Sequence, residues 1–300
     1  MTADPAKLGS KVTAAEKEVR RKIRRIKKHV DDWVAMVPKQ ERTVNKVYTY
    51  DLDEQLYRRI VNDIGGVLDS EWLDGGADEL WLLREYVQPA YNQGIAQTVA
   101  ALGAQSVTVK LSQQAAQAIM YEPAYLKRIG LVRARVFEEM QGFSDATRKD
   151  LAETLARSMG AGHGAERVRD DIIRRIGVSE SRAMRIARTE IATAHKQATL
   201  DETDDAAERY DLKTMMMQLS AFAATSRQSH MDRHSKLFTT DEVRQWLARD
   251  ANGINCLCNF VAVLVDSNGK PLSDTITRRA QQIRQRMENV ANTRKHQHCC

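Results

Sequence analysis

Two histidines and two cysteines form the set of side chains in this sequence best suited to chemistry. His230 and His234 lie four residues apart, and Cys256 and Cys258 follow after a gap of 21 residues. Imidazole nitrogens and thiolate sulfurs are preferred ligands of Zn²⁺, and four of them complete a tetrahedral site. On one helical turn both imidazoles would face the same way, and a tight Cys-x-Cys turn would bring both sulfurs to one ion. The spacing therefore predicts a structural zinc site.

The same residues also allow an interpretation without a metal. His230 would hydrogen-bond to a backbone carbonyl, and the two cysteines would be small buried hydrophobic residues. A metalloprotease is excluded, because the H-E-x-x-H motif needs a glutamate base directly after its first histidine, where Met231 stands. Cys299 and Cys300 end a polar tail that we expect to fray, so the cysteines indicate no disulfide framework. We predict no catalytic residue and no cofactor other than zinc.

The elements that position these residues are predicted to be mainly α-helical. Only 6% of the residues are aromatic and 5 are proline, so helix propensity should exceed strand propensity in most of the chain. Apolar residues recur at steps of three and four from Val12 to Val37, which predicts one long helix that Pro38 ends. Residues 47–125 predict further helices, broken near Gly65-Gly66 and near Asp74-Gly75-Gly76.

A helix that begins near Ser179 is predicted at the centre of the chain. Before it, residues 125–176 predict helices separated at Gly142-Phe143-Ser144 and again at residues 160–164. The buried face of the central helix consists mostly of small residues, which let another helix approach closely. Its members are Ala183, Ala187, Ile191, Ala194 and Ala198.

The chain after Ala206 predicts a small mixed α+β lobe. Residues 210–219 and 260–265 are apolar runs of strand length, and residues 266–270 have the composition of a turn. Residues 276–290 predict a basic helix. The predicted fold class is a mainly α N-terminal and central region with a small α+β C-terminal lobe.

Five short segments in a fixed order carry a resemblance to a known family. They are residues 185–198 (RIARTEIATAHKQA), Arg227-Gln228-Ser229-His230, Lys236-Leu237-Phe238-Thr239, Trp246 and Ile254-Asn255-Cys256-Leu257-Cys258. In this order they resemble the phage Mu F-like minor head proteins, over roughly residues 125–265. The resemblance implies a structural or head-morphogenesis protein of a tailed phage and not a metabolic enzyme.

The resemblance also bears on the predicted metal ligands. His230, Cys256 and Cys258 match the family pattern, whereas His234 is less regular in it. Family members often carry a glycine where this chain has Ser235. The resemblance therefore supports three of the four ligands more directly than the fourth.

Three further residues are identified as structural signature residues by the resemblance: Arg188, Glu190 and Arg227. Arg188 and Glu190 lie two residues apart on a helix, so they point to different faces. We interpret them as polar anchors to neighbouring segments; a catalytic Arg-Glu arrangement is the rival interpretation, but no nucleophile accompanies it. The family often has an acidic residue shortly before the position of Arg227, where this chain has residues 224–226, Ala-Thr-Ser.

Both ends of the chain are basic, although its net charge is only +6. Residues 1–46 hold 13 Lys or Arg against 6 Asp or Glu, and residues 276–300 hold 6 against 1, so the middle is acidic. Basic extensions favour attachment to nucleic acid, because each neutralised phosphate releases counterions, or to an acidic protein surface. The alternative is a solvated helix face. The candidate contacts with DNA or portal are Arg20, Arg21, Arg24, Arg25, Lys27, Lys28, Arg278 and Arg279.

Four regions are expected along the chain. They are a helical N-terminal assembly region with a basic first helix (1–125), a helical core (126–206), a small α+β Mu F-like lobe (207–275) and a basic helical tail (276–300). No window approaches the roughly 20 apolar residues of a membrane helix, and the first residues lack the apolar stretch of a signal peptide. We therefore expect the chain to stay in the cytoplasm of the bacterial host during assembly.

The expected function is that of a minor head protein at the portal vertex and inner capsid, present in several copies per virion head. Its expected partners are the portal protein and the major capsid protein, with double-stranded DNA near the basic ends and no membrane. One alternative is a DNA-processing or toxin-like enzyme in the C-terminal lobe. Another is a nonspecific DNA-binding protein ejected with the genome, which a steep salt dependence of DNA binding would identify.

Overall fold

The computed structural model describes residues 4–42, 47–106 and 117–297. Contacts within the chain divide it into two compact units. The helical unit comprises residues 12–86 and 129–187, and the lobe unit comprises residues 1–11, 87–128 and 188–300. The predicted fold class is confirmed: the chain is mainly α-helical, with a small sheet in its C-terminal part. The division into four functional regions stays a prediction.

The described residues of the first half of the chain form helices and a pair of antiparallel strands. In order these elements are α1 (Gly9–Lys27), α2 (Val30–Ala35), β1 (Lys39–Arg42), β2 (Val47–Tyr50), α3 (Glu54–Trp72), α4 (Gly76–Glu79), a π-helical turn (Leu83–Val87) and α5 (Gln88–Gly103). Two long helices follow, α6 (Pro123–Gly160) and α7 (Ala165–Tyr210).

The remaining elements belong to the lobe unit. They are β3 (Thr214–Leu219), α8 (Gln228–Asp232), β4 (Leu237–Phe238), α9 (Thr240–Ala248), β5 (Asn259–Leu264) and α10 (Asp274–Gln297). Among the described residues, no helix combines the length and the apolar character needed to cross a membrane.

The apolar stripe predicted for the first helix is buried, but two helices share it. Ala15 and Ile26 of α1 and Trp33 of α2 all lie in the core. The prediction of a single helix is wrong. The backbone amides of Lys28 and His29 donate to the carbonyls three residues back instead of four. These tighter turns end α1 and let the chain bend. The apolar stripe was predictable from the sequence, but the break between α1 and α2 was not.

Three predicted helix boundaries are corrected by the structure. Helix α3 continues through Gly65-Gly66, α6 continues through Gly142-Phe143-Ser144, and α7 continues through Ser179. Packing overrides local preference here: Phe143 and Ser144 are buried, and the Ser144 hydroxyl donates to Asp69. Ser179 is also buried and directs its hydroxyl to a carbonyl of its own helix.

Two other predicted breaks are confirmed, and both use glycines with positive φ. Gly75 has a φ of 81° before α4, and Gly162 has a φ of 72° between α6 and α7. The hairpin β1–β2 was not predicted, because residues 47–125 were expected to be helical. The amide of Tyr48 donates to Gly162 and the hydroxyl of Tyr50 donates to the carbonyl of His163, so the hairpin is anchored on the α6–α7 connection.

The sheet of the lobe unit has three antiparallel strands in the order β4-β3-β5. The two longer strands and the turn that follows β5 confirm the sequence prediction, and Gly269 supplies the positive φ of that turn. One face of the sheet packs against helices in a core formed by Leu102, Leu200, Met216, Val243, Phe260, Ala262 and Leu264. The predicted basic helix is confirmed as α10.

Candidate metal centre

The candidate ligands come from one short helix and one loop of the lobe unit. Helix α8 carries His230, and the loop between α9 and β5 carries Cys256 and Cys258. This loop turns tightly, and Asn255 has a φ of 51°. The guanidinium of Arg227 donates to the carbonyl of Ala251 at 3.0 Å and to that of Ile254 at 2.7 Å. The residue before α8 thereby holds the cysteine loop beside the histidine.

The three ligand atoms form a compact buried triangle. Nδ1 of His230 lies 3.5 Å from Sγ of Cys256 and 3.5 Å from Sγ of Cys258. All three atoms lie within 4.8 Å of one another, and the residues are only 3 to 4% exposed. A tetrahedral Zn²⁺ with Zn–N of about 2.05 Å and Zn–S of about 2.3 Å requires an N···S separation of about 3.6 Å. The triangle therefore has the dimensions of a zinc site.

A polar partner orients the imidazole of His230. Its Nε2 lies 3.3 Å from Oδ1 of Asn252, and the side-chain amide of Asn252 donates to the carbonyl of Trp246. The indole ring of Trp246 packs edge-on against the imidazole at 4.6 Å. An imidazole held at Nε2 presents Nδ1 to the two sulfurs, as a metal-binding histidine must.

The charge of Lys196 lies close to the cysteines. Lys196 is 3% exposed, and its ammonium donates to the carbonyl of Cys256 at 2.7 Å. A hydrogen bond from Cys258, the charge of Lys196 and the bond with His230 lower the pKa of the Cys256 thiol. The same bond with Cys256, together with burial, raises the pKa of Cys258. A buried cation beside two thiols favours the thiolate, which is the form that binds metals.

Close packing between helices α5 and α7 fixes the position of Lys196. A Cβ atom on Gly94 of α5 would lie 2.5 Å from the carbonyl oxygen of His195, so only glycine fits there. The neighbouring His195 is buried, with Nε2 3.1 Å from Gln97. Burial and the charge of Lys196 lower the pKa of His195 to about 4, which keeps the ring neutral near pH 7. The predicted small-residue face is confirmed as buried, including Ala198 against Gly94.

The structure does not bring His234 to the three other predicted ligands. Its Nδ1 accepts a hydrogen bond from the amide of Ser220 at 2.9 Å, and its Nε2 donates to the carbonyl of Ala280 at 3.0 Å. Both ring nitrogens are therefore used, one toward the sheet and one toward α10. The described residues supply a cluster of three ligands, not the four expected from the sequence.

The signature residues have different surroundings. Arg227 holds the cysteine loop, as described above. Glu190 is buried and Arg188 is half-buried, and both interact with neighbouring groups. Sequence reasoning missed Lys196 and Asn252; the position of Lys196 among buried alanines of the central helix was a signal that could have identified it.

The basic face of α1 is partly neutralised within the helical unit. Arg20 lies 4.0 Å from both Glu16 and Glu180, Arg21 pairs with Glu18 at 2.6 Å, and Arg25 pairs with Glu71 at 2.5 Å. Lys27 is half-buried. Arg24 and Lys28 are exposed, and no acidic side chain in the described part of the chain pairs with either. On α10, Arg278 and Arg279 are both exposed. The contact roles of these cations stay predictions.

Comparison with known proteins supports the family predicted from the sequence. The family model described as Phage Mu protein F like protein matches residues 149–261, which include Lys196, Arg227, His230 and both cysteines of the cluster. No curated protein and no solved structure matches the chain. Over residues 149–261 the chain is therefore similar to the Phage Mu protein F like family, which supports the predicted resemblance to phage head morphogenesis proteins.

Proposed function

We propose that this chain is a minor head protein of a tailed phage, which acts in head assembly by binding and positioning other components. The observation that carries the proposal is the family match, because the matched segment 149–261 encloses the signature segment and the complete His-Cys-Cys cluster. The chain would occupy the virion head in several copies, after assembly in the cytoplasm of the host. Its partners would be the portal protein and the inner face of the major capsid protein.

A structural zinc ion is part of this proposal. His230, Cys256 and Cys258 would hold it, and it would join α8 to the cysteine loop in a lobe whose sheet has only three strands. Structural zinc sites contribute directly to the free energy of folding. The cavity beside the cluster has a volume of about 30 Å³, far below the roughly 300–1,000 Å³ of a typical ligand pocket. This size favours a structural role over a site for a nucleotide substrate.

The exposed cations at the end of α1 are the proposed surface for the portal or for packaged DNA. Arg24 lies in the last turn of α1, and Lys28 directly follows the last residue of that helix. Their charges are not compensated by acidic side chains among the described residues, whereas Arg21 and Arg25 are in close ion pairs. We therefore assign the contact to Arg24 and Lys28 rather than to the whole basic run.

The test is co-expression of the chain with its phage's portal protein, followed by affinity purification and measurement of DNA binding. We expect the wild-type chain to co-purify with portal, and the double variant Arg24→Glu/Lys28→Glu to lose at least one of the two interactions. The matched control is Arg58→Glu/Lys149→Glu, which makes the same charge change at exposed residues of the same unit. Equal portal and DNA binding by all three proteins would contradict the proposed surface.

A further inference from the structure

A small cavity lies directly against the His-Cys-Cys cluster. All three candidate ligands line it, together with Ala223, Thr225, Ser226, Arg227, Asn255 and Leu257. Its volume is about 30 Å³, and both Thr225 and Arg227 are exposed, so it reaches the protein surface. The buried cluster therefore borders a small cavity whose lining includes exposed residues.

The described residues around this cavity offer no fourth ligand of the usual kind. Apart from His230, Cys256 and Cys258, its lining contains no imidazole, thiol or carboxylate. The hydroxyl of Ser226 accepts a hydrogen bond from the amide of Ala223 at 2.9 Å, which engages it in a local turn. His234 is bonded through both of its ring nitrogens. A tetrahedral ion bound by these three residues would lack a fourth protein ligand, and the cavity beside them would admit a small one.

We propose that the zinc ion has three protein ligands, and that its fourth ligand is a water molecule that small monodentate anions can replace. This inference rests on the zinc site proposed above. The cavity volume of about 30 Å³ exceeds the roughly 10–15 Å³ that a water molecule needs, so the cavity admits a small ligand but not a bulky one. Three protein ligands with one open position is the arrangement that leaves a zinc ion able to exchange a ligand.

The charges around the site favour an anion at that position. One Zn²⁺ with two thiolates and a neutral imidazole has no net charge, so an added anion would make the centre negative. Arg227 is one of the residues that line the cavity, and the ammonium of Lys196 is bonded to the backbone of Cys256. Nearby cations stabilise a negative centre, and they do so most strongly where water is partly excluded.

The experiment uses the full chain loaded with Co²⁺, which replaces Zn²⁺ and has visible absorption bands that report its ligands. One Co²⁺ per chain should bind, with thiolate-to-cobalt charge-transfer bands. Sodium azide should then change the ligand-field bands with saturation at one azide per metal, while the charge-transfer bands remain. Sodium perchlorate at equal ionic strength is the control, because perchlorate coordinates metals poorly.

The outcomes separate this inference from the zinc proposal. A one-to-one azide response supports an exchangeable fourth ligand. Stoichiometric Co²⁺ and Zn²⁺ binding with a spectrum that azide leaves unchanged would overturn the open position, but would leave the metal site itself intact. Failure of the folded chain to bind either metal would overturn both. The folded state is checked by circular dichroism in each case.

Discussion

The ammonium of Lys196 lies 2.7 Å from the carbonyl oxygen of Cys256 and donates a hydrogen bond to it. This bond connects the central helix α7 to the loop that carries both candidate sulfur ligands. The helix segment and the cysteine motif, which are separated by 60 residues in the sequence, therefore form one buried structure. The metal centre and the packing of α7 should depend on each other.

Replacement of Lys196 should weaken metal binding without removing a ligand. In Lys196→Met the chain keeps a side chain of similar length but loses the cation and the bond to Cys256. Loss of an outer partner of a metal site typically lowers affinity about 10- to 100-fold. Competition with a chromogenic chelator measures the affinity for Zn²⁺, and Lys213→Met at an exposed position of the same unit is the control. Equal affinities of both variants would show that Lys196 has no influence on the metal.

The two histidines should differ sharply in their effect on metal content. His230→Ala removes a ligand, so the purified variant should contain much less than one Zn²⁺ per chain by elemental analysis. His234→Gln should retain one Zn²⁺ per chain, but should lower the free energy of unfolding by about 1–3 kcal/mol, because the amide of Ser220 and the carbonyl of Ala280 lose their partner. Loss of zinc from a folded His234→Gln protein would instead support the predicted site with four protein ligands, including His234.

Two glycine-to-alanine substitutions should have opposite effects on the free energy of unfolding. Gly94→Ala would place a Cβ atom 2.5 Å from the carbonyl oxygen of His195. The backbone must shift, which should cost about 1–3 kcal/mol in the free energy of unfolding. Gly142→Ala is the matched control, because its Cβ would meet nothing within 4 Å in the interior of α6. There alanine should stabilise by about 0.5–1 kcal/mol. Chemical denaturation measures both changes, and a neutral Gly94→Ala would disprove the close approach.

Glu202 should make the stability of the chain depend on pH. It is 2% exposed, and burial raises its pKa from 4.5 to about 7. Because the folded-state pKa is the higher one, the folded chain binds more protons between these values, and stability falls as pH rises from about 4.5 to about 7. Glu202→Gln should therefore be more stable than the wild type at pH 8, by at most about 3 kcal/mol, and similar to it at pH 4.5.

Denaturation at both pH values checks this expectation. The exposed Glu208→Gln on the same helix is the control and should leave the pH dependence unchanged. A Glu202→Gln profile parallel to that of the wild type between pH 4.5 and 8 would show that the carboxyl group does not titrate in the expected range.

Much of the helical packing was predictable from apolar periodicity. The stripe that includes Ala15 and Trp33, and the small-residue face of α7, are buried as their spacing predicts. Helix boundaries were less predictable, because Ser179 and Gly142 favour helix ends locally but lie in helices whose burial elsewhere stabilises the continuous form. The local sequence does not reveal those distant contacts.

The sequence predicted the types of residue in the candidate site, but not which individual residues belong to it. His230 and His234 are both histidines and lie four positions apart, so local sequence does not distinguish them. Tertiary contacts direct His230 to the two sulfurs and His234 to Ser220 and Ala280. Lys196 was missed for the same reason, since a lysine on a helix is usually solvated. Cys256 and Cys258 were identified because a Cys-x-Cys spacing limits how far two sulfurs can separate.

Quantitative mass spectrometry of purified virions tests the proposed role in the phage head most directly. We expect this chain in every preparation, at a few copies per particle, and at the same ratio to portal protein through successive density gradients. Absence of the chain from mature particles and from portal-containing assembly intermediates would contradict a role as a minor head protein.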